Sequence, residues 1–357
     1  MSLESLRIEN FRCIEAAELL FDSRCNLFSG DNASGKTSLL EAIFFLGRGR
    51  SFRTNRRDIL IKAQRDGFLL RGLAMASGRR QALGVRVNGS GIEARCAGRP
   101  VVGLAELASV LPVQAIDPEV HRLVEDGPRE RRRYLDWGVF HVEHDFVPHW
   151  QRYQRALRQR NAALRAGRHA AEIRAWETEL IEAGEDVAAG RARYVRLLAP
   201  WVASVAERLL GEEVELVLHR GWAPDRDLGE ALEASRDRDR ERAATQVGPH
   251  RADLGIRVGG RLARDRVSRG QQKLLASSLL LGQLRCDAEN GSDVASLLVD
   301  DPAAELDSDN LQKLLDELLD LPAQLFVTAL DPANPVLRRL PQQRRFHVEH
   351  GSVTALV

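Results

Sequence analysis

Apolar and polar residues alternate along the first 21 positions, and again from 67 to 102, of this 357-residue chain. A period of two predicts β-strands with one buried face. Residues 3–21 therefore predict two strands joined near Asn10, and residues 67–102 predict an antiparallel meander that turns at Asn88. Shorter apolar runs at 25–29, 111–118, 297–299 and 324–329 predict further strands.

Helical spacing dominates the middle of the chain. From 150 to 200, apolar residues recur every three or four positions among many Ala, Arg, Glu and Leu residues, which favour helices. A turn at 166–169 divides two such stripes and predicts a short antiparallel helical hairpin, with a compact helical subdomain as the alternative. The mixed charges at 236–242 predict a solvated helix face.

A glycine-rich loop lies between the strand predicted at 25–29 and a helix predicted at 38–46. It fits the phosphate-loop pattern, in which glycines let backbone N–H groups converge on an anion at a helix N-terminus. Lys36 is predicted to reach the β- and γ-phosphates, and Thr37 to bind Mg²⁺. A glycine turn without a ligand is the alternative. The predicted ATP-binding residues are Gly30, Asp31, Asn32, Ala33, Ser34, Gly35, Lys36, Thr37 and Ser38.

An apolar strand that ends in two carboxylates predicts the metal side of the same site. Asp300 is expected to hold Mg²⁺ through water opposite Thr37, and Asp301 to orient or deprotonate an attacking water. Gln114, in the strand at 111–118, is predicted to touch Mg²⁺ or that water, with a surface glutamine as the alternative. Lys36, Asp301 and Gln114 are thus the catalytic candidates.

A second helix-terminus site is predicted before the apolar helix at 274–284. Ser268, Arg269, Gly270 and Gln271 form a Ser-x-Gly-Gln sequence in which Ser268 is well placed as the N-cap. Alone, this pattern is a common helix cap. Asp307, shortly after the paired carboxylates, lies in a stretch that resembles the D-loop of ABC-type ATPases, which crosses between subunits.

Residues 47–57 carry five arginines and no acid. Positive charges clustered on one loop repel each other unless a polyanion binds them, so DNA contact is predicted there. A solvated basic loop is the alternative. The net charge of +1 excludes a uniformly basic nucleic-acid binder, so any such contact is local. The DNA-binding candidates are Arg48, Arg50, Arg53, Arg56 and Arg57.

Cysteine usage and hydropathy indicate the cellular compartment in which the protein works. The four cysteines are isolated, which argues against a zinc site or a disulfide scaffold and fits a reducing environment. The sequence shows neither an apolar signal core at its N-terminus nor a run of about 18 apolar residues. We therefore expect a cytoplasmic protein without a membrane partner.

The order of phosphate loop, Ser-x-Gly-Gln sequence and paired aspartates is specific to ABC-type ATPase heads. With the stretches at 47–53, 135–138, 159–164 and 248–250, the chain from Met1 to about His350 resembles the RecF family of bacterial ATPases, which are related to the heads of structural-maintenance-of-chromosomes (SMC) proteins. The resemblance implies an α/β fold, an ABC-type head with a mixed β-sheet, interrupted by a helical insertion. The expected segments are 1–118 (N-terminal half of the head), 119–243 (helical insertion) and 244–357 (C-terminal half).

The resemblance also implies a function. ATP and Mg²⁺ would join two copies of the chain, with the Ser-x-Gly-Gln sequence of each copy closing on ATP held by the other. Hydrolysis would be slow, because Asp301 stands where most ABC ATPases have Glu. Thr328 falls where many of them place a histidine on the γ-phosphate.

The family works at single-strand gaps and at junctions between single- and double-stranded DNA, with RecO and RecR, to promote RecA loading in repair, replication and SOS induction. Rival functions are a P-loop kinase, an ABC transporter subunit and a nucleotide-sensing scaffold that does not act on DNA. A kinase would not need the Ser-x-Gly-Gln sequence or the helical insertion, and a transporter subunit requires a membrane partner.

Overall fold

The computed structural model describes residues 1–101, 103–143, 145–291, 294–341 and 344–356. The chain divides into two compact units. Unit 1 comprises Met1–Val120 and Gly291–Val357, and unit 2 comprises His121–Asn290. The expected segment boundary at 243/244 thus lies inside unit 2.

The strands and helices follow the predicted patterns closely. The strands are β1 Ser2–Phe11, β2 Ile14–Leu20, β3 Cys25–Ser29, β4 Gly67–Ala76, β5 Arg79–Asn88, β6 Gly91–Cys96, β7 Arg99–Pro100, β8 Val113–Ile116, β9 Val214–His219, β10 Asp253–Val258, β11 Arg261–Leu262, β12 Ser296–Val299, β13 Leu325–Ala329, β14 Arg344–Glu349 and β15 Ser352–Leu356. The helices are α1 Lys36–Arg48, α2 Ala105–Val110, α3 Arg122–Glu125, α4 Pro128–Val142, α5 Phe146–Arg165, α6 Ala170–Arg174, α7 Glu177–Leu210, α8 Leu228–Glu241, α9 Ala263–Arg266, α10 Arg269–Glu289, α11 Pro302–Glu305 and α12 Ser308–Leu319. Within the described residues, none of these helices has the length and apolar character needed to cross a bilayer.

Unit 1 contains two sheets. The first is antiparallel, in the order β2-β1-β4-β5-β6-β7. The second is mixed, in the order β15-β14-β3-β13-β12-β8, with β14, β3, β13, β12 and β8 parallel and β15 antiparallel at the edge. Every residue of β3, β12 and β13 is buried, as expected for parallel strands covered on both faces. This arrangement confirms the predicted α/β class with a mixed sheet.

Helix α1 belongs to the core of unit 1. All of its residues from Leu39 to Gly47 are buried, and one apolar cluster joins them to side chains of both sheets. Gly72 permits this packing, because a Cβ there would lie 2.5 Å from Leu46 Cδ2. A helix that is apolar on all sides is stable only when buried, so the core holds α1, and the loop before it, in place.

Unit 2 is built on the predicted helical hairpin. Arg152 of α5 pairs with Glu179 of α7, whereas Arg160, further along α5, pairs with Glu177, earlier on α7. The residue number increases along α5 while that of its partner decreases along α7, so the two helices are antiparallel. This confirms the hairpin. The Ser-x-Gly-Gln helix, α10, packs against α7 within this unit, which is why residues 244–290 group with the helical region.

A buried ionic network joins three elements of unit 2. The Arg160 guanidinium is 1% exposed and donates to Asp239 at 2.7 Å, to Thr245 Oγ1 at 2.9 Å and to Glu177 at 3.0 Å. Asp239 is 0% exposed, so the prediction of a solvated face was wrong at this position. The attraction between Asp239 and the buried guanidinium offsets the cost of removing both charges from water, a cost that an unpaired carboxylate would bear alone.

Replacing Arg160 with Met should destabilise unit 2, because Asp239 would remain buried without its partner. The expected loss is about 3–5 kcal/mol, measured by urea unfolding monitored by circular dichroism. Arg158→Met, at an exposed position two residues away on α5, is the matched control and should leave the midpoint unchanged. Equal midpoints for the two variants would contradict the role assigned to the network.

Candidate nucleotide site

The phosphate loop, Thr328 and the paired aspartates of unit 1 meet at the carboxyl-terminal edge of the mixed sheet. Strands β3, β13 and β12 are parallel neighbours, so their carboxyl ends lie side by side. The phosphate loop follows β3, Thr328 lies near the end of β13, and Asp300 and Asp301 follow β12. Ligands of open α/β sheets bind at this kind of edge.

Two glycines with positive φ shape the phosphate loop. Gly30 has φ 154°, and a Cβ there would lie 2.1 Å from the Val348 carbonyl oxygen. Gly35 has φ 118° and is the N-cap of α1. Neither position accepts a side chain without strain, so glycine is required for the loop to wrap around the start of α1. The resulting cradle of N–H groups at a helix N-terminus suits a phosphate.

The Lys36 ammonium group folds back over this loop. It donates to the carbonyl oxygens of Gly30 at 2.7 Å and Asp31 at 2.8 Å, and Lys36 is 6% exposed. The positive charge of Lys36 is therefore held beside the phosphate loop, where it can form a charge-assisted hydrogen bond to a bound phosphate.

Asp300 is held between two hydroxyl groups. Thr37 Oγ1 lies 2.8 Å from Asp300 Oδ2, and Thr328 Oγ1 donates to Asp300 Oδ1 at 2.7 Å. Among the described residues no cluster of three His, Cys, Asp or Glu side chains is placed to hold a metal ion. A single carboxylate beside a hydroxyl fits Mg²⁺, which typically takes one or two carboxylates, with water and phosphate oxygens as its remaining ligands.

Asp301 has an unusual backbone for a residue with a side chain. Its φ is 43°, in the left-handed region, and its N–H donates to Thr328 Oγ1 at 2.8 Å. Burial raises the pKa of this carboxyl above its usual value; nearby Lys36 lowers it and Asp300 raises it. Left-handed backbone and a perturbed pKa each concentrate at functional sites, which makes Asp301 a candidate for accepting a proton.

The pocket between these groups has a volume of about 320 Å³. Besides the phosphate loop, Asp300 and Asp301, its lining includes Cys13, Arg53, Pro118, Ala304 and Glu305. The sequence did not single out Cys13, and it assigned Arg53 to DNA. The structure places Arg53 in the lining of this pocket.

Glu41, one helical turn after Thr37, explains the position of Arg53. Its side chain is 0% exposed, and its carboxylate accepts a hydrogen bond from Ser51 Oγ. The carboxylate also forms a bidentate ion pair with the Arg12 guanidinium, at 2.8 and 2.9 Å. Ser51 Oγ in turn accepts the backbone N–H of Arg53 at 2.9 Å. A single acid inside an otherwise apolar helix was the sequence signal for this network.

Gln114 does not reach the pocket. It is 2% exposed within β8 and lies opposite Leu297, three residues before Asp300 on β12. A strand advances about 3.3 Å per residue, so Gln114 lies about 10 Å short of the sheet edge. The predicted contact of Gln114 with Mg²⁺ or water is therefore corrected.

The other basic-loop candidates differ in exposure. Arg48 ends α1, is half-buried and places its guanidinium 5.3 Å from the Phe44 ring centre. Arg50, Arg56 and Arg57 are exposed, and Arg56 pairs with the equally exposed Asp58. The loop therefore presents most of its arginines to solvent, with one of them paired to an acid.

The Ser-x-Gly-Gln sequence forms an exposed helix N-terminus in unit 2. Ser268 is the N-cap of α10, as predicted, and forms a capping box with Gln271, with distances of 3.4 and 2.9 Å. Gly270 is exposed, and a Cβ there would meet nothing within 4 Å. Arg269 is exposed beside it. Asp307, in unit 1, is the exposed N-cap of α12 and accepts the Asn310 N–H at 2.9 Å.

Comparison with known proteins identifies the family. The model of the RecF/RecN/SMC N terminal domain matches residues 2–338. The chain is 40% identical to the DNA replication and repair protein RecF of Shewanella oneidensis, over 100% of both chains. The chain belongs to the RecF family.

Solved structures agree with this assignment. The structure described as the recombination mediator protein RecF–ATP in the RecFOR pathway has a TM-score of 0.90 at 25% identity and covers 100% of this chain and 98% of that one. The Smc head domain of Pyrococcus furiosus bound to the C-terminal domain of ScpA has a TM-score of 0.61 at 15% identity, over 99% and 96% of the two chains. The Smc likeness shows the fold alone and confirms the predicted ABC-type head in this RecF-family protein.

Thr328→Val should weaken Mg²⁺-dependent nucleotide binding, because valine keeps the shape of threonine but loses both hydrogen bonds to the Asp300–Asp301 pair. A hydrogen bond to a charged group contributes about 1.5–3 kcal/mol, so the dissociation constant should rise by about tenfold or more. Titration with a fluorescent nucleotide, with and without Mg²⁺, measures this. Thr328→Ser retains the hydroxyl and should bind like the wild type; equal weakening in both variants would assign the effect to packing.

Proposed function

We propose that this protein binds ATP with Mg²⁺ and, in that state, pairs with a second copy of itself on DNA. The observation that carries the nucleotide assignment is the joint placement of the glycine cradle, Lys36, Thr37 and Asp300 at one sheet edge. Family membership and the likeness to a RecF–ATP structure support it.

Each residue of the edge has a distinct task in this proposal. The loop N–H groups and Lys36 bind the phosphates, while Thr37 and Asp300 hold the metal. Bound Mg²⁺ would supply charge neutralisation at the phosphate oxygens. Asp301 orients a water for attack and accepts its proton, which its raised pKa favours. Arg53, in the wall of the same pocket, is placed to neutralise the negative charge of a phosphate.

The second copy would supply the exposed Ser268–Gln271 terminus. The first N–H groups of a helix have no intrahelical partner, so α10 offers donors and a positive dipole end to an anion. The open space above Gly270 leaves room for a phosphate to approach. In an ABC-type head, this sequence acts on the nucleotide of the other chain, so ATP would join two copies and its hydrolysis would release them.

DNA is the proposed partner of the ATP-bound form. Curated relatives are named DNA replication and repair proteins, and the similar RecF structures are described as recombination mediators of the RecFOR pathway. We extend this to action at single-strand gaps and junctions with RecO and RecR, which promotes RecA loading. The full-length match to the family disfavours a P-loop kinase that ignores DNA.

ATP with Mg²⁺ should convert the monomer to a dimer, as measured by light scattering during size-exclusion chromatography. Lys36→Ala should lose nucleotide binding and therefore the dimer. Ser268→Arg should bind nucleotide normally yet remain monomeric, because it blocks only the surface offered to the other chain. A wild-type protein that stays monomeric at saturating ATP and Mg²⁺, with or without DNA, would refute the shared site.

Asp301→Asn should slow ATP hydrolysis by roughly 10²–10⁴-fold, the usual contribution of a positioned base, and prolong the dimer. Because burial raises the Asp301 pKa, the wild-type rate should decline on acidification at a higher pH than an ordinary aspartate would give. Steady-state phosphate release across pH measures both effects. Glu305→Gln, in the same pocket wall, is the control; an equal loss there would withdraw the role of Asp301.

A further inference from the structure

The antiparallel sheet of unit 1 has one face in the core and one face outside it. On β4, Leu70 is 0% exposed and Gly72 packs against Leu46, while Arg71 between them is exposed. On β6, Ala94 and Cys96 pack against the core cluster, and Arg95 between them is exposed. Arg71 and Arg95 therefore lie on the outer face.

Strand register places three arginines of this face in one row. Arg7 of β1 lies directly opposite Arg71 of β4, Arg71 lies opposite Gly84 of β5, and Gly84 lies opposite Arg95 of β6. The four residues are far apart in sequence, so no local pattern shows the row.

The charge of this row is incompletely balanced by the protein. Arg7 pairs with Glu9 at 3.0 Å and keeps 55% of its side chain exposed. In the part of the chain that the structure describes, Arg71 and Arg95 form no ion pair or side-chain hydrogen bond. Like charges directly opposite on a sheet repel each other, so an anion bound across Arg7 and Arg71 would relieve an unfavourable contact.

A groove of about 340 Å³ runs over the row. Its lining includes all three arginines and Gly84, together with one acid, Glu18, which lies opposite Arg7 on β2. Arg71 and Arg95, further from this acid, therefore carry most of the unbalanced charge. An added Cβ on Gly84 would have Leu70 O as its nearest neighbour, at 4.0 Å, so a ligand can approach the backbone there. Strands lie about 4.8 Å apart, and the row therefore extends about 14 Å from β1 to β6. One strand of DNA carries about four phosphates over that length.

We propose that this row, Arg7, Arg71 and Arg95, binds the sugar–phosphate backbone of DNA. The inference rests on the proposed DNA-binding function and gives it a second surface, distinct from the loop at 47–57. A repeating anion matches guanidinium groups spread across several strands, and the row reads no base, so binding should be independent of sequence. An acidic protein segment is the competing occupant.

The test compares Arg71→Gln/Arg95→Gln with a matched control. Arg86→Gln removes an exposed arginine from the same face, one row away, where β6 presents Glu93 opposite it. Binding of labelled single- and double-stranded oligonucleotides is measured across salt concentrations. Loss of two phosphate contacts should make the slope of log affinity against log salt less steep. The expected reduction in its magnitude is roughly 1.8 for duplex DNA and 1.4 for single strands. Affinity at moderate salt should fall at least tenfold, and Arg86→Gln should match the wild type.

Three outcomes would overturn the inference. Unchanged binding by the double variant, with the wild type binding DNA, removes the row and leaves the proposed DNA function standing; it also directs attention to an acidic protein segment. A change of slope in Arg86→Gln of about half that in the double variant, one charge against two, would show that overall charge alone matters. No DNA binding by the wild type at low salt, with or without ATP and Mg²⁺, would refute both the row and the proposed function. Circular dichroism melting curves confirm that each variant is folded.

Discussion

The nucleotide edge depends on how the buried carboxylate of Asp300 is satisfied. Thr37 and Thr328 contact its two oxygens from different elements, one from the start of α1 and one from β13. A carboxylate at 7% exposure would be costly without such partners. The same Thr328 hydroxyl accepts the Asp301 N–H, so one set of hydrogen bonds aligns the proposed metal ligand, Asp300, and positions the proposed base, Asp301, beside it.

A second buried carboxylate organises the rim of the same pocket. Glu41 ties Arg12 and Ser51 to α1, and Cys13 and Arg53 in the pocket wall are close neighbours of those two residues. The helix that begins with Lys36, the proposed phosphate ligand, thus also fixes both sides of the entrance. A change in the position of α1 would therefore move the phosphate cradle and the Arg53 wall together.

Local motifs were predictable because their chemistry is contiguous in sequence. The phosphate loop, the Ser268 cap and the paired aspartates are each a short contiguous stretch, and the Ser268 cap is completed by Gln271 only three residues later. The strand and hairpin predictions succeeded for the same reason, since periodicity reports which face is buried. The prediction for Gln114 failed because the distance of a residue from the carboxyl-terminal edge of a sheet depends on where the neighbouring strands end.

Sequence alone determined the α/β class, the order of the site motifs and the presence of a helical insertion. Tertiary structure decided which distant residues share an environment. It sent Arg53 to the nucleotide pocket, buried Asp239 against Arg160 and aligned Arg7, Arg71 and Arg95 in one row. The physical reason is that strand register and helix packing fix side-chain neighbours across long sequence separations, where no local pattern carries the information.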